Sequence, residues 1–290
     1  MIQESELILN GDGSVYHLKL QPEMLADTII LVGDPGRVDT VSSFFDTITY
    51  KVQNRELKTH TGVYNHMPIS VMSTGMGTDN LDIVINEIDA LANIDLKKRE
   101  IKSEKKSLRI VRLGTSGALQ ADIPVETFVA ADWALGIDGL MNYYQDLDRI
   151  MDKEMTRAFI SQTQWPEALS KPYFIPCSDS ISSQLDTSYY HGITVTAPGF
   201  YGPQGRILRM PLAYPDLNER LETFVYNQRT ISNFEMETSG LYGLGKSLGH
   251  EVLTVCVVIA NRVRKEYCKD YKPAVNRLIG SMLDILSASK

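Results

Sequence analysis

Short apolar stretches rich in β-branched residues recur along the chain, and such stretches are typical of buried β-strands. They are TIILVG at 28–33, ISVMST at 69–74, LRIVRLG at 108–114, TFVAAD at 127–132, ITVTA at 193–197 and VLTVCVVIA at 252–260. Because these runs lack an alternating polar face, we expect both faces of their sheet to be covered. The pattern therefore predicts a buried, mainly parallel sheet.

Helical patterns lie between these strands. In LDIVINEIDALANI at 81–94, apolar residues recur at spacings of three and four, as on one face of a helix. The residues of that face are Leu81, Val84, Ile85, Ile88 and Leu91. A second helix is predicted from near Glu235 to Gly249, and a third from about Pro273 to the C-terminus. Alternating strands and helices predict a single α/β domain over residues 1–290, with a mixed, mainly parallel central sheet flanked by helices.

Composition narrows the classes of partner. The 290 residues include 29 basic and 36 acidic side chains, a net charge of −7, which disfavours nucleic acid or an anionic membrane as the partner. The N-terminal stretch lacks the pattern of a signal peptide, and no apolar run approaches a membrane span, so we expect a cytoplasmic protein. The charged stretch KKREIKSEKKS at 97–107 is predicted to be a solvated surface insertion.

Cysteine and histidine usage gives no sign of a metal centre. The chain has three scattered cysteines and contains neither a CxxC nor an HExxH spacing. We therefore expect reduced, mostly buried thiols and no catalytic metal or cofactor.

Glycine-containing turns follow the first three predicted strands. The turns read VGDPGR, STGMG and RLGTSG, and glycine there lets backbone N–H groups approach an anion. Ligands of open α/β sheets collect at this edge. Arg37 in the first turn, with Arg112 and Thr115 in the third, would bind phosphate if the turns converge. Arg112 lies in an otherwise apolar strand, so a buried Arg–carboxylate pair is the alternative interpretation.

The stretch GFYGPQGR at 199–206 presents an amide and a guanidinium on one turn. Phe200 offers a flat apolar wall, while Gln204 and Arg206 offer planar donors and one acceptor. This combination would suit the edge of a heterocycle. The alternative is an ordinary polar, solvated turn.

The stretch SNFEMETSG at 232–240 carries two carboxylates close together. Ser232 and Glu235 have the spacing of a helix capping box, so a structural role explains part of the pattern. It does not explain Glu237, which stands beside Met236 and would suit a grip on the vicinal hydroxyls of a sugar.

Taken together, these segments resemble a known family. GDPGRV, STGMG, RLGTSGA, FYGPQGR, NFEMET and VVIANR occur in the order and at intervals similar to those of the nucleoside phosphorylase family, over roughly residues 15 to 285. FYGPQGR most resembles the uridine phosphorylase branch. The resemblance implies phosphorolysis of uridine to uracil and ribose 1-phosphate, with inorganic phosphate as co-substrate. The alternatives are another nucleoside, such as a purine, thymidine or 5′-modified nucleoside, water as the nucleophile, or a non-catalytic nucleoside- or phosphate-binding module.

The resemblance also implies roles for individual residues. The phosphate-binding set is Gly33, Arg37, Arg55, Arg112 and Thr115, with Arg55 supplied by the neighbouring subunit. The ribose-binding set is His17, Met236 and Glu237, with His17 also supplied by the neighbour. The base-binding set is Phe200, Gln204 and Arg206. The residues implied to act in catalysis are Arg112, Gln204, Arg206 and Glu237. We therefore expect a homodimer with shared active sites, which could assemble further into a hexamer.

Two further positions bear on substrate and ions. Purine-cleaving relatives carry a general-acid Asp at about the place where this chain has Ala260, which favours a pyrimidine. Glu56, Met76 and Asn80 match the region where some bacterial members bind a monovalent cation between subunits, although serine is more usual than Asn80.

Overall fold

The computed structural model describes residues 1–288, within which fourteen strands and eight α-helices occur. The strands are β1 (Thr28–Val32), β2 (Thr47–Asn54), β3 (Leu57–Tyr64), β4 (Met67–Ser73), β5 (Ile94–Asp95), β6 (Glu100–Ile101), β7 (Arg109–Ala118), β8 (Phe128–Gly136), β9 (Tyr173–Pro176), β10 (Tyr190–Thr196), β11 (Val225–Tyr226), β12 (Arg229–Glu235), β13 (Glu251–Asn261) and β14 (Glu266–Tyr267). The α-helices are α1 (Pro35–Ser42), α2 (Thr78–Asn93), α3 (Leu147–Ile150), α4 (Lys153–Thr163), α5 (Asp179–Ser182), α6 (Leu217–Glu222), α7 (Thr238–Ser247) and α8 (Lys272–Ala288). Short 3₁₀ segments cover Pro22–Met24, Leu140–Tyr143 and Gly202–Gln204.

Twelve of these strands form one mixed sheet with the order β11-β12-β10-β8-β13-β7-β1-β4-β3-β2, while β14 pairs with β13 and β9 with β8. Strands β4, β1, β7 and β13 run parallel to one another, and so do β8, β10 and β12. Antiparallel pairing joins β13 to β8 and adds β2 and β3 at one edge. The prediction of a mixed α/β sheet flanked by helices is confirmed.

Part of the sheet closes into a ring. Strands β12, β10, β8, β13 and β7 pair in succession, and β7 then pairs with β12, where Asn233 faces Ala118 and Phe234 faces Gly117. Because β7 and β12 meet in this way, the end of the RLGTSGA stretch lies against NFEMET. Closure therefore brings together two motifs that are more than a hundred residues apart in the chain.

All six predicted strands are present, as β1, β4, β7, β8, β10 and β13. The predicted apolar face of α2 is buried along its whole length. A helix, α8, also occupies the predicted C-terminal position; residues 289 and 290 lie outside the described part of the chain. Within the charged stretch 97–107, every side chain except that of Arg99 is exposed.

The helix predicted to start near Glu235 begins instead at Thr238 and ends at Ser247. The capping-box interpretation of Ser232 and Glu235 is wrong, because both residues belong to strand β12. The Ser232 hydroxyl donates to the carbonyl of Ile193 in the neighbouring strand. The Glu235 carboxylate accepts the N–H of Thr238 at 3.0 Å, so the strand end, and not a residue of the helix, satisfies the first turn of α7.

No helix within residues 1–288 combines the length and the apolar character needed to cross a bilayer.

Candidate active site

A cavity of about 730 Å³ opens at the carboxyl ends of β1, β7, β12 and β13. It collects most of the predicted site residues. Four residues of the phosphate set line it: Gly33, Arg37, Arg112 and Thr115. It is also lined by Met236 and Glu237 of the ribose set and by Phe200, Gln204 and Arg206 of the base set. Two predicted residues, Arg55 and His17, do not line it.

The first two glycine turns are joined by the backbone. The N–H of Gly75, after β4, donates to the carbonyl of Gly33, after β1, at 3.1 Å. Gly75 and Gly77 have φ values of +76° and +96°, which L-residues with side chains rarely adopt. These backbone conformations favour glycine at both positions of the turn. The predicted convergence of these turns is observed.

Arg37 lies on helix α1 and reaches the third turn, where its NH1 donates to the carbonyl of Leu113 at 3.4 Å. Burial lowers the pKa of Arg37, and the charge of nearby Arg112 lowers it further. Two guanidiniums therefore repel each other at one end of the cavity. An anion bound near both would offset that repulsion.

Arg112 pairs with two carboxylates in the interior. Its NH1 lies 3.1 Å from Glu235 Oε2, and its NH2 contacts Glu237 Oε2 directly. All three side chains are at most 5% exposed. Although burial alone would lower the pKa of Arg112, the carboxylates of Glu237 and Glu235 raise it, so the guanidinium stays charged. The alternative interpretation of Arg112 as a buried ion pair is thus correct, and the same residue also lines the cavity.

The predicted sugar-binding carboxylate of Glu237 is engaged on both oxygens. Oε2 contacts Arg112, and Oε1 accepts the N–H of Gly77 at 2.8 Å. Glu237 therefore links the turn after β4 to the buried arginine. Glu235 is a cavity residue that sequence reasoning missed. Its spacing of two residues from Glu237 is a signal in the sequence, but the capping-box spacing with Ser232 indicates a helix start instead.

The turn at 199–206 is held by hydrogen bonds and a ring contact. Arg206 NH1 donates to Gln204 Oε1 at 2.7 Å and to the carbonyl of Phe200 at 2.6 Å, and its guanidinium carbon lies 3.7 Å from the centre of the Phe200 ring. Asn218 Nδ2 and Arg262 NH2 both donate to the carbonyl of Gln204. Gln204 is only 3% exposed, so the alternative of a solvated turn does not hold for this side chain.

Because a guanidinium can only donate, the atom of the Gln204 amide that faces Arg206 must be the oxygen, Oε1. Arg262 is a second cation here that sequence reasoning missed, although it stands in the quoted segment VVIANR. Its buried NH1 has no hydrogen-bond partner within residues 1–288. Burial, followed by the charge of Arg262, lowers the pKa of Arg206 to about 10. This end of the cavity favours a ligand edge rich in acceptors.

Arg55 and His17 lie together on the surface of their own chain. Arg55 occupies the β2–β3 turn with a φ of +54° and an exposed side chain. The preceding residue, Asn54, donates from Nδ2 to the carbonyl of His17 at 2.8 Å. A hydrogen bond therefore links the turn that carries Arg55 to the backbone of His17, the other residue predicted to serve a neighbouring subunit.

The monovalent cation stays a prediction. Glu56 and Met76 line the cavity, whereas Asn80 does not, and its Nδ2 donates to the carbonyl of Met76 at 3.1 Å. Among residues 1–288, no group of three or more His, Cys, Asp or Glu side chains is arranged to hold a metal ion. Ala260, the residue on which the prediction of a pyrimidine substrate rests, also lines the cavity.

The ring-closed α/β sheet and its cavity, with cations at two ends, correspond to a known class of protein. Residues 27–288 match the model of the Phosphorylase superfamily, and the chain belongs to this family. The predicted family is confirmed.

Individual relatives show which members of the family this chain is similar to. The chain is 31% identical to a uridine phosphorylase of Thermococcus kodakarensis over 266 residues, which cover 89% of this chain and 81% of that protein. It is 25% identical to a DeoD-type purine nucleoside phosphorylase of Streptococcus suis over 255 residues, covering 86% and 88% of the two chains. Among solved structures, a Trypanosoma brucei nucleoside phosphorylase described as showing uridine phosphorylase activity superimposes with a TM-score of 0.87 at 31% identity, covering 97% of this chain and 99% of that one.

Proposed function

We propose that this protein is a pentosyltransferase that cleaves uridine by phosphorolysis, giving uracil and ribose 1-phosphate. One observation carries the proposal: a single cavity is lined by Arg37 and Arg112 and also by the hydrogen-bonded turn of Gln204 and Arg206. A phosphate and a heterocyclic base can therefore bind in the same cavity. The uridine phosphorylase of Thermococcus kodakarensis and the Trypanosoma brucei enzyme support uridine as the substrate.

Phosphate binding is assigned to the joined glycine turns. Gly33 supplies backbone that approaches the anion closely, and Arg37, Arg112 and Thr115 supply charge and a hydroxyl. A phosphate oxygen attacks the anomeric carbon as the bond to N1 of uracil breaks, and the bonding electron pair leaves with the base. The dianion also offsets the positive charge that develops on the ribose. No side-chain nucleophile is needed.

Ribose binding is assigned to Met236 and Glu237, with the carboxylate accepting from the 2′ and 3′ hydroxyls. In the structure, Glu237 contacts Arg112 and the N–H of Gly77. In the proposed complex, phosphate takes over part of the interaction with Arg112, and the carboxylate turns toward the sugar. Phosphate and nucleoside should therefore each favour binding of the other.

Base recognition is assigned to the turn of Gln204 and Arg206, with Phe200 as the flat wall. Gln204 and Arg206 would match O4, N3–H and O2 of uracil, and they stabilise the negative charge that the leaving base acquires. Cytosine has an amino donor where uracil has O4 and an acceptor where uracil has N3–H, so it would leave buried groups unpaired. Arg206 remains charged at neutral pH, because its lowered pKa is still about 10.

We also propose that the working unit is a homodimer with shared sites. Arg55 and His17 lie outside the cavity of their own chain, and they are joined through Asn54. A two-fold interface would let each chain insert Arg55 and His17 into the cavity of its neighbour. Arg55 then completes the phosphate site, and His17 contacts the ribose 5′ hydroxyl.

The alternative substrate class is a purine nucleoside, because DeoD-type purine nucleoside phosphorylases are also among the relatives. Ala260 argues against it, since a methyl group cannot protonate a purine leaving group.

A nucleoside panel tests the substrate assignment. With phosphate present, uridine is expected to be cleaved at least about 10²-fold more efficiently than inosine or adenosine, because a positioned general acid contributes on the order of 10²-fold and this chain lacks one at Ala260. The measurement is kcat/KM for release of free base from each nucleoside. Thymidine and 2′-deoxyuridine belong in the same panel. Inosine or adenosine turnover equal to that of uridine would overturn the pyrimidine assignment.

A further inference from the structure

Glu87, on the middle of helix α2, lies outside the cavity and is bound to the segment that carries His17. Its Oε1 accepts the backbone N–H of His17 at 3.0 Å, and its Oε2 accepts that of Leu18 at 2.8 Å. The same carboxylate lies 2.6 Å from His17 Nδ1. The Glu87 side chain is only 14% exposed, so these contacts are largely shielded from water. One carboxylate thus holds both the backbone and the ring of this histidine.

The contact with Glu87 also determines which ring nitrogen carries the proton. An ionised carboxylate has no hydrogen to donate, so Nδ1 must be the protonated nitrogen in this pair. In a neutral imidazole, Nε2 is then a hydrogen-bond acceptor. Within residues 1–288, Nε2 of His17 makes no hydrogen bond, and the side chain is 30% exposed. The neutral ring therefore presents an acceptor at the surface of the chain.

Two further contacts restrict the ring and its backbone. The Tyr16 ring meets the imidazole edge to face, with 4.8 Å between ring centroids and an interplanar angle of 81°. Asn54 Nδ2 donates to the His17 carbonyl. Because Asn54 adjoins Arg55, the anchoring of His17 also extends to the β2–β3 turn. Such pre-organisation lowers the entropy cost of inserting these side chains into another subunit's cavity.

We infer that Glu87 is a positioning residue for the reaction: it holds His17 in the Nδ1–H tautomer, so that Nε2 accepts a hydrogen bond from the nucleoside 5′ hydroxyl in the neighbouring subunit. The inference rests on the proposed function, in which His17 contacts that hydroxyl. It explains why a largely shielded acidic side chain on a helix binds the segment around His17, while no Lys or Arg within residues 1–288 pairs with it. Its consequence is a preference for nucleosides that carry a 5′ hydroxyl.

The test replaces Glu87 with glutamine and compares uridine with 5′-deoxyuridine. Glu87→Gln keeps the shape of the side chain but removes the charge that requires a proton on Nδ1. We expect the uridine to 5′-deoxyuridine ratio of kcat/KM to fall about tenfold, the size of one hydrogen bond, mainly through KM for uridine. His17→Ala should lower the ratio similarly, and the double variant should lower it no further. Turnover of 5′-deoxyuridine serves as the internal measure of folding, because a damaged fold would lower it too.

Asp132→Asn is the matched control, because Asp132 contacts Nδ1 of His191 at 2.7 Å in a comparable pair that does not line the cavity. It should leave the substrate ratio unchanged. The ¹⁵N chemical shifts of the His17 ring give a readout independent of turnover: the wild type should show a protonated Nδ1, and Glu87→Gln should populate the other tautomer. A wild-type ring protonated on Nε2 overturns the inference, and so does an unchanged ratio in Glu87→Gln when His17→Ala lowers it. Wild-type protein that does not cleave uridine contradicts the proposed function itself.

Discussion

Replacing Arg112 with alanine is expected to lower kcat/KM for uridine by at least about 10²- to 10³-fold, the loss typical of removing one charged group that stabilises a transition state. Arg112 is one of the two cations that the chain itself contributes to the proposed phosphate site, and it also holds the carboxylates of Glu235 and Glu237. Its loss removes charge from the anion site and leaves two buried acidic groups facing each other. Steady-state kinetics over a range of phosphate concentrations measures the effect, which should include a higher KM for phosphate.

The same substitution should destabilise the fold, because breaking one side of a buried pair costs about 3–5 kcal/mol. Urea unfolding of the variant separates this loss from the catalytic one. Arg109→Ala is the matched control: it lies three residues earlier on β7, outside the cavity, and its NH1 only reaches the carbonyl of Leu286 at 3.4 Å. Near wild-type kcat/KM in a folded Arg112→Ala variant would contradict the phosphate site.

Mixing two inactive variants should restore activity if the sites are shared. Arg55→Ala and Arg112→Ala each remove one cation from every proposed phosphate site, so each variant alone should be nearly inactive. In a mixed dimer, the Arg55→Ala chain keeps its own Arg112 and receives an intact Arg55 from its partner. One site is then whole, and the other carries both defects.

If co-refolded chains pair at random, half of the dimers are mixed and half of their sites are whole, so about a quarter of wild-type activity should return. Native mass spectrometry verifies that mixed dimers form. Mixing Arg37→Ala with Arg112→Ala is the control, because both residues line the cavity of the same chain and no whole site can result. Activity that stays absent despite proven mixed dimers would mean that Arg55 does not act in its neighbour's site.

The apolar pattern was sufficient to predict the inner strands and the buried face of α2. Strands such as TIILV and VLTVCVVIA have no polar face because neighbouring elements cover them on both sides. The glycine turns that follow them also converge as predicted, since parallel strands place their carboxyl ends at one edge.

The local pattern does not reveal strand β12, because polar residues that are buried through hydrogen bonds interrupt its apolar residues Ile231 and Phe234. Ser232 and Asn233 are fully buried in it, and Asn233 donates to Ser116 on β7 while accepting from Thr194 on β10. These partners come from strands remote in sequence, so a local pattern carries no sign of them. The misplaced start of α7 and the overlooked role of Glu235 both follow from this error.

Most of the cavity residues could be named from motifs, whereas their supporting residues could not. Arg262 and Glu87 contact Gln204 and His17, which lie 58 and 70 residues away in the chain. A charged residue is ordinarily solvated, and nothing in its local sequence indicates a distant partner. Such contacts become visible only once the fold brings the segments together.

Attack of inorganic phosphate on the nucleoside is best tested by ³¹P NMR of the purified protein with uridine and phosphate. We expect a ribose 1-phosphate signal that grows in step with released uracil, one for one, and no uracil release when phosphate is omitted. Uracil released at a comparable rate without phosphate, together with free ribose and no sugar phosphate, would show instead that water is the nucleophile and that the protein is not a phosphorylase.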